Sequence, residues 1–446
     1  MAKLLTPYLF SWREVEARSD LERLRLVLDH LPDEGLMRKL EEHRKWGRDD
    51  YPIRPVWNSV LGGIVYQHTS VDSLRRELLR NGDLRDQCGF DPEKGSGAVP
   101  PSWVYTRFLK LLFEFKSEVD TMFDRLVDEL KGLLPDLGVS VAVDSKGVDS
   151  AGRPTKEKKR DGRRDRDADW GKKAYYGQRE DGTLWQKVVT WFGYKIHLLV
   201  DTTYEMPISY EVTRASASDT KHLLPLVEEV KKKHEEIYKD MDRVAADKGY
   251  DSEDNCRRLY DEHGIKPVID IRRMWRDKET KLLDPNRSDN LVYDEVGRMY
   301  CICPKTEEQR QMCYGGFEQD RMTLKYVCPM KAYGLTCQGS DQCGHAMKSE
   351  RVSMEIDRRI FTPVARSSYA WERGYKKRTA VERVNSRLDV SFGFEKHFIR
   401  GQKKMEIRVG LALCVMLAMA VGRIKEKHQD LMRSLVKSPW PLEQAA

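Results

Sequence analysis

The sequence predicts an α/β protein: a mixed sheet flanked by helices, with an all-helical N-terminal domain and a cysteine-bearing insertion. Apolar residues recur at helical spacing as far as Gly138, and strand-like segments begin abruptly at Val139. Six of the nine cysteines then fall in one polar window between Cys301 and Cys343. We therefore predict four parts: 1–135, helical; 136–271, the first part of the sheet core; 272–359, the insertion; and 360–446, the helical end of the core.

The helical part contains two amphipathic segments with basic faces, "SVDSLRRELLRN" and "PSWVYTRFLKLL". Ser70 is typical of a helix cap before the first. Either segment could be the reading helix of a helix-turn-helix-like unit, or the two could simply pack against other helices.

Three strand-like segments open the core, "VSVAVD", "KVVTWFGYKIHLLVD" and "MPISYEVT", and helices and strands alternate after them. This order predicts a mixed sheet covered by helices. Between the first two segments lies a basic stretch, residues 152–173. It is either a solvated loop or an arm that follows a phosphate backbone.

Composition indicates a soluble, charged protein with enough apolar material for real cores: 34% of the residues are charged and 40% hydrophobic. The net charge of +7 is compatible with a polyanionic partner. The first twenty residues become charged too early for a signal peptide, so we expect a cytoplasmic protein. The apolar run 409–422 is too short for a membrane span, which predicts a buried core helix and no membrane partner.

Three carboxylates could carry chemistry. Asp144 ends the first predicted strand, where it either caps a turn or holds a metal, and Asp247 follows the apolar V-A-A of a later one. Glu382 lies on a predicted helix, with Arg378 and Tyr375 one and two turns before it on the same face. Oxygen ligands of this kind suit Mg²⁺. Two such ions, about 3.5–4 Å apart, can activate a water or a 3′-hydroxyl for phosphodiester chemistry.

The blocks around these acids, "VAVDSKGV", "AADKGYDS" and Y-x2-R-x3-E, resemble the signature of DDE transposases from bacterial insertion sequences. "GYKIHLLVD" and "VTRASASDTKHLLPLV" occupy the expected positions between them. The resemblance implies an RNase H-like catalytic core with an insertion before the last catalytic residue. It also implies Asp144, Asp247 and Glu382 as catalytic ligands of Mg²⁺, with Mn²⁺ as a substitute.

The same resemblance implies a function. The enzyme would bind the terminal inverted repeats of its element, cleave the DNA and join the 3′-hydroxyl ends to target DNA. It would act as a homodimer on DNA at the bacterial nucleoid. An RNase H-like nuclease without strand transfer, or a domesticated DNA-binding protein without catalysis, are the alternatives. The presence of all three acids argues against the second.

Family members use the Tyr and Arg of the third block to contact terminal phosphates, which points to Tyr375 and Arg378. They often carry a Lys seven positions after the Glu, but here that position is Asp389. Arg387, Lys396 or Arg400 could supply the missing cation. The predicted DNA contacts are Tyr375, Arg378, Arg387, Lys146 and Lys195.

The cysteines of the insertion suggest a small β-ribbon with a structural Zn²⁺, because four thiolates satisfy tetrahedral zinc. The preferred ligands are Cys303, Cys328, Cys337 and Cys343. Their spacing is irregular, so free thiols and disulfides remain alternatives. The isolated Cys88, Cys256 and Cys414 are expected in the core.

Overall fold

In the computed structural model, the described residues are 20–435 without 45–49, 153, 155–164, 180, 182, 277 and 285–289. The outer ends of the first and last predicted parts, and half of the basic stretch 152–173, therefore lie outside the described residues. The helices are α1 Asp20–His30, α2 Glu34–Arg44, α3 Ile53–Val65, α4 Val71–Arg80, α5 Gly82–Cys88, α6 Ser102–Leu112, α7 Lys116–Leu133, α8 Leu223–Lys233, α9 Glu235–Asp240, α10 Glu253–Asp261, α11 Pro329–Tyr333, α12 Tyr369–Lys376, α13 Thr379–Phe392 and α14 Gln402–Lys425. The strands are β1 Ser140–Asp149, β2 Asp169–Gln178, β3 Leu184–Asp201, β4 Pro207–Arg214, β5 Arg243–Ala246, β6 Lys266–Ile269, β7 Thr280–Leu282, β8 Leu291–Asp294, β9 Met299–Ile302, β10 Gln309–Gln311, β11 Cys313–Glu318, β12 Thr323–Val327 and β13 Ser349–Ser353.

Helix α14 is the centre of the main core. It is long and apolar enough to cross a membrane, yet 89% of its most apolar window is buried inside the protein. It packs against α7, α1 and β4. This burial agrees with the prediction of a buried core helix for residues 409–422. Cys88, Cys256 and Cys414 are buried as well, as predicted.

The main sheet has the order β4–β3–β1–β5–β6, and β2 pairs with the other half of the long β3. Strands β1, β5 and β6 run parallel, while β3 is antiparallel to β1 and β4. Helices α8, α10, α13 and α14 pack on its strands. In chain order without β2 this is the 3-2-1-4-5 arrangement of an RNase H-like sheet, so the predicted fold class is confirmed.

Two details of the prediction are wrong. Strand β1 continues five residues past Asp144, to Asp149, because β3 still pairs with it there. Residues 152–173 are predicted as a loop or an arm, but the last five of them, residues 169–173, begin strand β2. This strand forms because the first ten residues of β3 pair with it along its whole length.

The insertion forms two small sheets, β10–β9–β8–β7 and β11–β12–β13, around a core of its own between Ile271 and Phe361. Buried Asp251 ties it to the main sheet. The Asp251 carboxylate accepts hydrogen bonds from the backbone N–H of Arg272 at 2.8 Å and from the Arg359 side chain at 2.8 Å. The insertion is thereby held beside β5 and β6.

Candidate active site

Strand register brings Asp144 and Asp247 side by side. Parallel strands β1 and β5 pair up to Val143 and Ala246, and each acid is the next residue of its chain. Neighbouring strands lie about 4.8 Å apart, so the two carboxylates lie close together at the same edge of the sheet. Asp144 is therefore not at the end of β1, as predicted, but at the point where β1 passes the end of β5.

The Asp144 carboxyl is held in an environment that disfavours its charge. Its side chain is 14% exposed, and its Oδ1 accepts a hydrogen bond from the Ser145 N–H at 2.9 Å. Burial, and next the charge of Asp247, raise the pKa of Asp144 to about 6, although Lys173 and Arg378 partly oppose the rise. A cation between these two carboxylates would reduce their mutual repulsion and stabilise their charged forms.

Asp247 is fixed by the tight turn that follows β5. Its Oδ1 accepts a hydrogen bond from the Gly249 N–H at 2.7 Å, which caps the short 3-10 helix Lys248–Tyr250. A Cβ at Gly249 would come within 2.8 Å of the same oxygen. The glycine of "ADKGY" thus leaves room for the carboxylate.

Glu382, on α13, is the third acid of the site and is linked to Asp144 through Arg378. The predicted single helix is in fact interrupted: α12 ends at Lys376, and Arg378 lies at the N-terminus of α13. The Arg378 guanidinium donates to Glu382 at 2.6 Å and lies 3.9 Å from the Asp144 carboxylate. It also lies over the Tyr375 ring, 5.6 Å from its centroid. Arg378 therefore contacts both other signature residues, Tyr375 and Glu382, despite the break.

Among the described residues, no three His, Cys, Asp or Glu side chains are close enough to share a metal ion. Arg378 explains this at the acids, because it pairs with Glu382 and faces Asp144. The donor chemistry nevertheless fits a hard divalent cation, since the nearby groups are carboxylates and two of them are neighbours.

The cleft beside these acids has a volume of about 1110 Å³. Seven basic and seven acidic side chains line it, so its charges are balanced rather than simply positive. The basic ones are Lys146, Lys172, Lys173, Lys195, Lys248, Arg272 and Arg273. Five of these were not among the predicted DNA contacts. Lys172 and Lys173 belong to the basic stretch 152–173, whereas Lys248, Arg272 and Arg273 lie outside it.

The predicted DNA contacts have different surroundings. Lys146 lines the cleft and pairs with Asp389, the residue at the family's Lys position. Lys195 also lines it, bound to Asp219 at 2.9 Å and to the Ala217 carbonyl at 2.8 Å. Arg387 is not among the lining residues.

Arg387 instead binds buried Glu205. Its guanidinium donates to the Glu205 carboxylate and, at 3.1 Å, to the Glu205 carbonyl. Arg383 and Arg433 donate to the same carboxylate. These contacts are sufficient to account for Arg387 as an ion-pair residue of the fold.

Comparison with known proteins gave one family. No curated protein matches the chain. The piggyBac transposase synaptic complex with hairpin DNA, solved by cryo-EM, has 11% sequence identity and a TM-score of 0.36, over 95% of this chain and 83% of that one. The model of the transposase DDE domain matches residues 138–418, well over half of the chain and including all three acids. The protein therefore belongs to the family of transposases with a DDE domain.

Proposed function

We propose that this transposase binds the terminal inverted repeats of a bacterial insertion sequence, hydrolyses the strand at each end and joins the freed 3′-hydroxyl to target DNA. The observation that carries the proposal is the placement of Asp144 and Asp247 on neighbouring parallel strands, with Asp247 and Glu382 lining one cleft. A site for DNA binding alone has no use for a partly buried acid pair, in which burial and then the charge of Asp247 raise the pKa of Asp144.

Asp144, Asp247 and Glu382 would hold Mg²⁺, with Mn²⁺ as a substitute. When bound, the metal would supply Lewis-acid activation of the attacking hydroxyl and stabilise the leaving oxygen. The balanced charges of the cleft support this assignment. A DNA phosphate entering beside the carboxylates is repelled until cations neutralise them.

Arg378 would act as a counter-ion that the metal replaces. In the structure Arg378 pairs with Glu382 and faces Asp144. A cation held by the acids would leave the guanidinium available to a phosphate, which its planar fork suits. Tyr375, which stacks on Trp371 with ring centroids 4.7 Å apart, would limit the directions that Arg378 can take.

Lys146 would replace the Lys that the family often carries after its Glu. Its ammonium group meets Asp389 in the cleft, so a cation is present near that position although the residue there is acidic. Lys195 would assist from the neighbouring strand β3. Arg387 would contribute through Glu205 and the stability of α13.

The helical region, residues 1–135, would bind the DNA ends, and two copies would pair two ends as a homodimer in the bacterial cytoplasm. Helices α4 and α6 remain the candidate reading helices. Arg76 and Lys110 are exposed on them, while Arg75 donates to the Pro100 carbonyl and Arg80 to Glu77.

The test uses purified protein, labelled end DNA, Mg²⁺ and a supercoiled plasmid target. We expect cut ends and joined products from the wild type. Asp144→Asn, Asp247→Asn and Glu382→Gln should each lose about 10²-fold or more of both. Asp254→Asn, an exposed acid on α10 that is 60% exposed, is the matched control and should retain activity.

The products separate the alternatives. Cut ends without joined molecules would identify a nuclease without strand transfer. Binding to end DNA with no cutting in Mg²⁺ or Mn²⁺ would identify a DNA-binding protein that has lost catalysis, and would overturn the proposal.

A further inference from the structure

A small cavity in the insertion is surrounded by sulfur. It has a volume of about 30 Å³ and is lined by five cysteines and His345. That space holds one water or one ion, but no organic ligand. The five cysteines are Cys301, Cys303, Cys328, Cys337 and Cys343.

The cysteines reach this cavity from both small sheets. Cys303 directly follows β9 of the first sheet, and Cys328 directly follows β12 of the second. Cys337 and Cys343 lie between α11 and β13. A group bound by all four would cross-link the two sheets.

Two of the sulfurs are already at a metal-ligand separation. Cys303 Sγ and Cys337 Sγ lie 3.8 Å apart. Two ligands on tetrahedral zinc, each about 2.3 Å from the ion, are also about 3.8 Å apart. A disulfide would need about 2.05 Å, and both cysteines are free.

Hydrogen-bond donors are directed at these sulfurs. The backbone N–H groups of Lys305 and Thr306 face Cys303, and that of Gly339 faces Cys337. Asn290 Nδ2 lies 3.4 Å from Cys343 Sγ. A neutral thiol is a weak acceptor, whereas a metal-bound thiolate is commonly stabilised by such outer contacts.

We infer that the insertion binds one Zn²⁺ through Cys303, Cys328, Cys337 and Cys343. No three of these residues are yet close enough to share an ion. The side chains of Cys328 and Cys343 would therefore rotate toward the Cys303–Cys337 pair, across the cavity that they line. This inference does not depend on the proposed function.

The site would stabilise the insertion, which carries Arg272 and Arg273 into the cleft. Zinc bound by the folded form adds its binding energy to the stability of the two sheets. Loss of the ion would therefore loosen the position of these two arginines, while Asp144 and Asp247 on the main sheet stay in place.

The test measures metal in the full chain purified after growth with added zinc. We expect one Zn²⁺ per chain by elemental analysis, and X-ray absorption should show about four sulfurs at about 2.3 Å. Cys303→Ser and Cys337→Ser should lose most of the zinc. Cys337→His should keep it, because three thiolates and one imidazole also satisfy the ion.

Two matched variants distinguish the ligands from their neighbours. Cys313→Ser, in β11 and outside the lining of the cavity, and Cys301→Ser, inside the lining, should both retain one Zn²⁺. Where a serine variant fails to fold, mercurial titration of the wild type should still release one Zn²⁺ per chain. Three results would each overturn the inference. They are a wild type without zinc, full retention of zinc by both single variants Cys303→Ser and Cys337→Ser, and a disulfide between Cys303 and Cys337.

Discussion

Replacing Asp144 by Asn should make the metal-free protein more stable at neutral pH, although it should abolish activity. The wild-type carboxyl is partly buried beside Asp247, and its pKa is raised from 3.8 to about 6. A neutral amide of nearly the same shape removes the repulsion. Its nitrogen faces Asp247 and its oxygen can still accept from the Ser145 N–H.

The magnitude and the pH window follow from this pKa. The folded protein holds the Asp144 proton up to about pH 6, whereas the unfolded chain releases it near pH 4. The free energy of unfolding of the wild type therefore falls between about pH 4 and pH 6, by about 3 kcal/mol in total. The Asn variant lacks this loss. Its advantage should be near zero at pH 4 and about 3 kcal/mol at pH 7.5.

Urea denaturation in EDTA at pH 4, 5, 6 and 7.5 measures this difference, with Asp254→Asn as the exposed control. An advantage that is independent of pH, or an Asn variant that is less stable at pH 7.5, would refute the reasoning. Added Mg²⁺ provides a second check. A concentration of about 100 times the wild-type Kd should stabilise the wild type by about 2.7 kcal/mol and the variant by at least about 1.3 kcal/mol less.

Three further predictions concern contacts around the site. Arg387→Ala should lower the free energy of unfolding by about 3 kcal/mol, because it removes a partner of buried Glu205, while the affinity of the folded protein for end DNA stays the same; a large loss of affinity at full stability would contradict this. Gly249→Ala should weaken Mg²⁺ binding with little change in stability, since its Cβ meets the Asp247 carboxylate; calorimetry measures this, and unchanged affinity would refute it. Asp251→Asn should cost about 3 kcal/mol in urea denaturation, because it weakens both hydrogen bonds from the insertion; a cost below about 1 kcal/mol would contradict it.

Local pattern correctly predicted strands before Asp144 and Asp247, because each acid follows a short apolar segment typical of a buried strand. The sequence did not predict that these two acids lie side by side. Their proximity depends on the parallel pairing of β1 with β5, and almost one hundred residues separate the two strands. The balanced charge of the cleft was hidden for the same reason. Its lysines and arginines come from five separate segments of the chain.

Two features of the site could not be predicted from the sequence, for similar physical reasons. Arg387 pairs with Glu205, which lies 182 positions away, and a sequence window does not show that pair. The break at Arg378 carried no signal, because "YKKRTAVERV" contains no proline or glycine to interrupt a helix. Contacts between distant parts of the folded chain determine both the Arg387–Glu205 pair and the helix break at Arg378.

Direct metal binding tests the central claim that these acids form a divalent-cation site. The measurement is the amount of free Mn²⁺, followed by its electron paramagnetic resonance signal, as protein and end DNA are titrated at pH 7.5. We predict that the wild type and Asp254→Asn deplete the signal alike, and that Asp144→Asn and Asp247→Asn bind at least about 10-fold more weakly. Equal depletion by all four proteins, or none by the wild type with DNA present, would contradict the account.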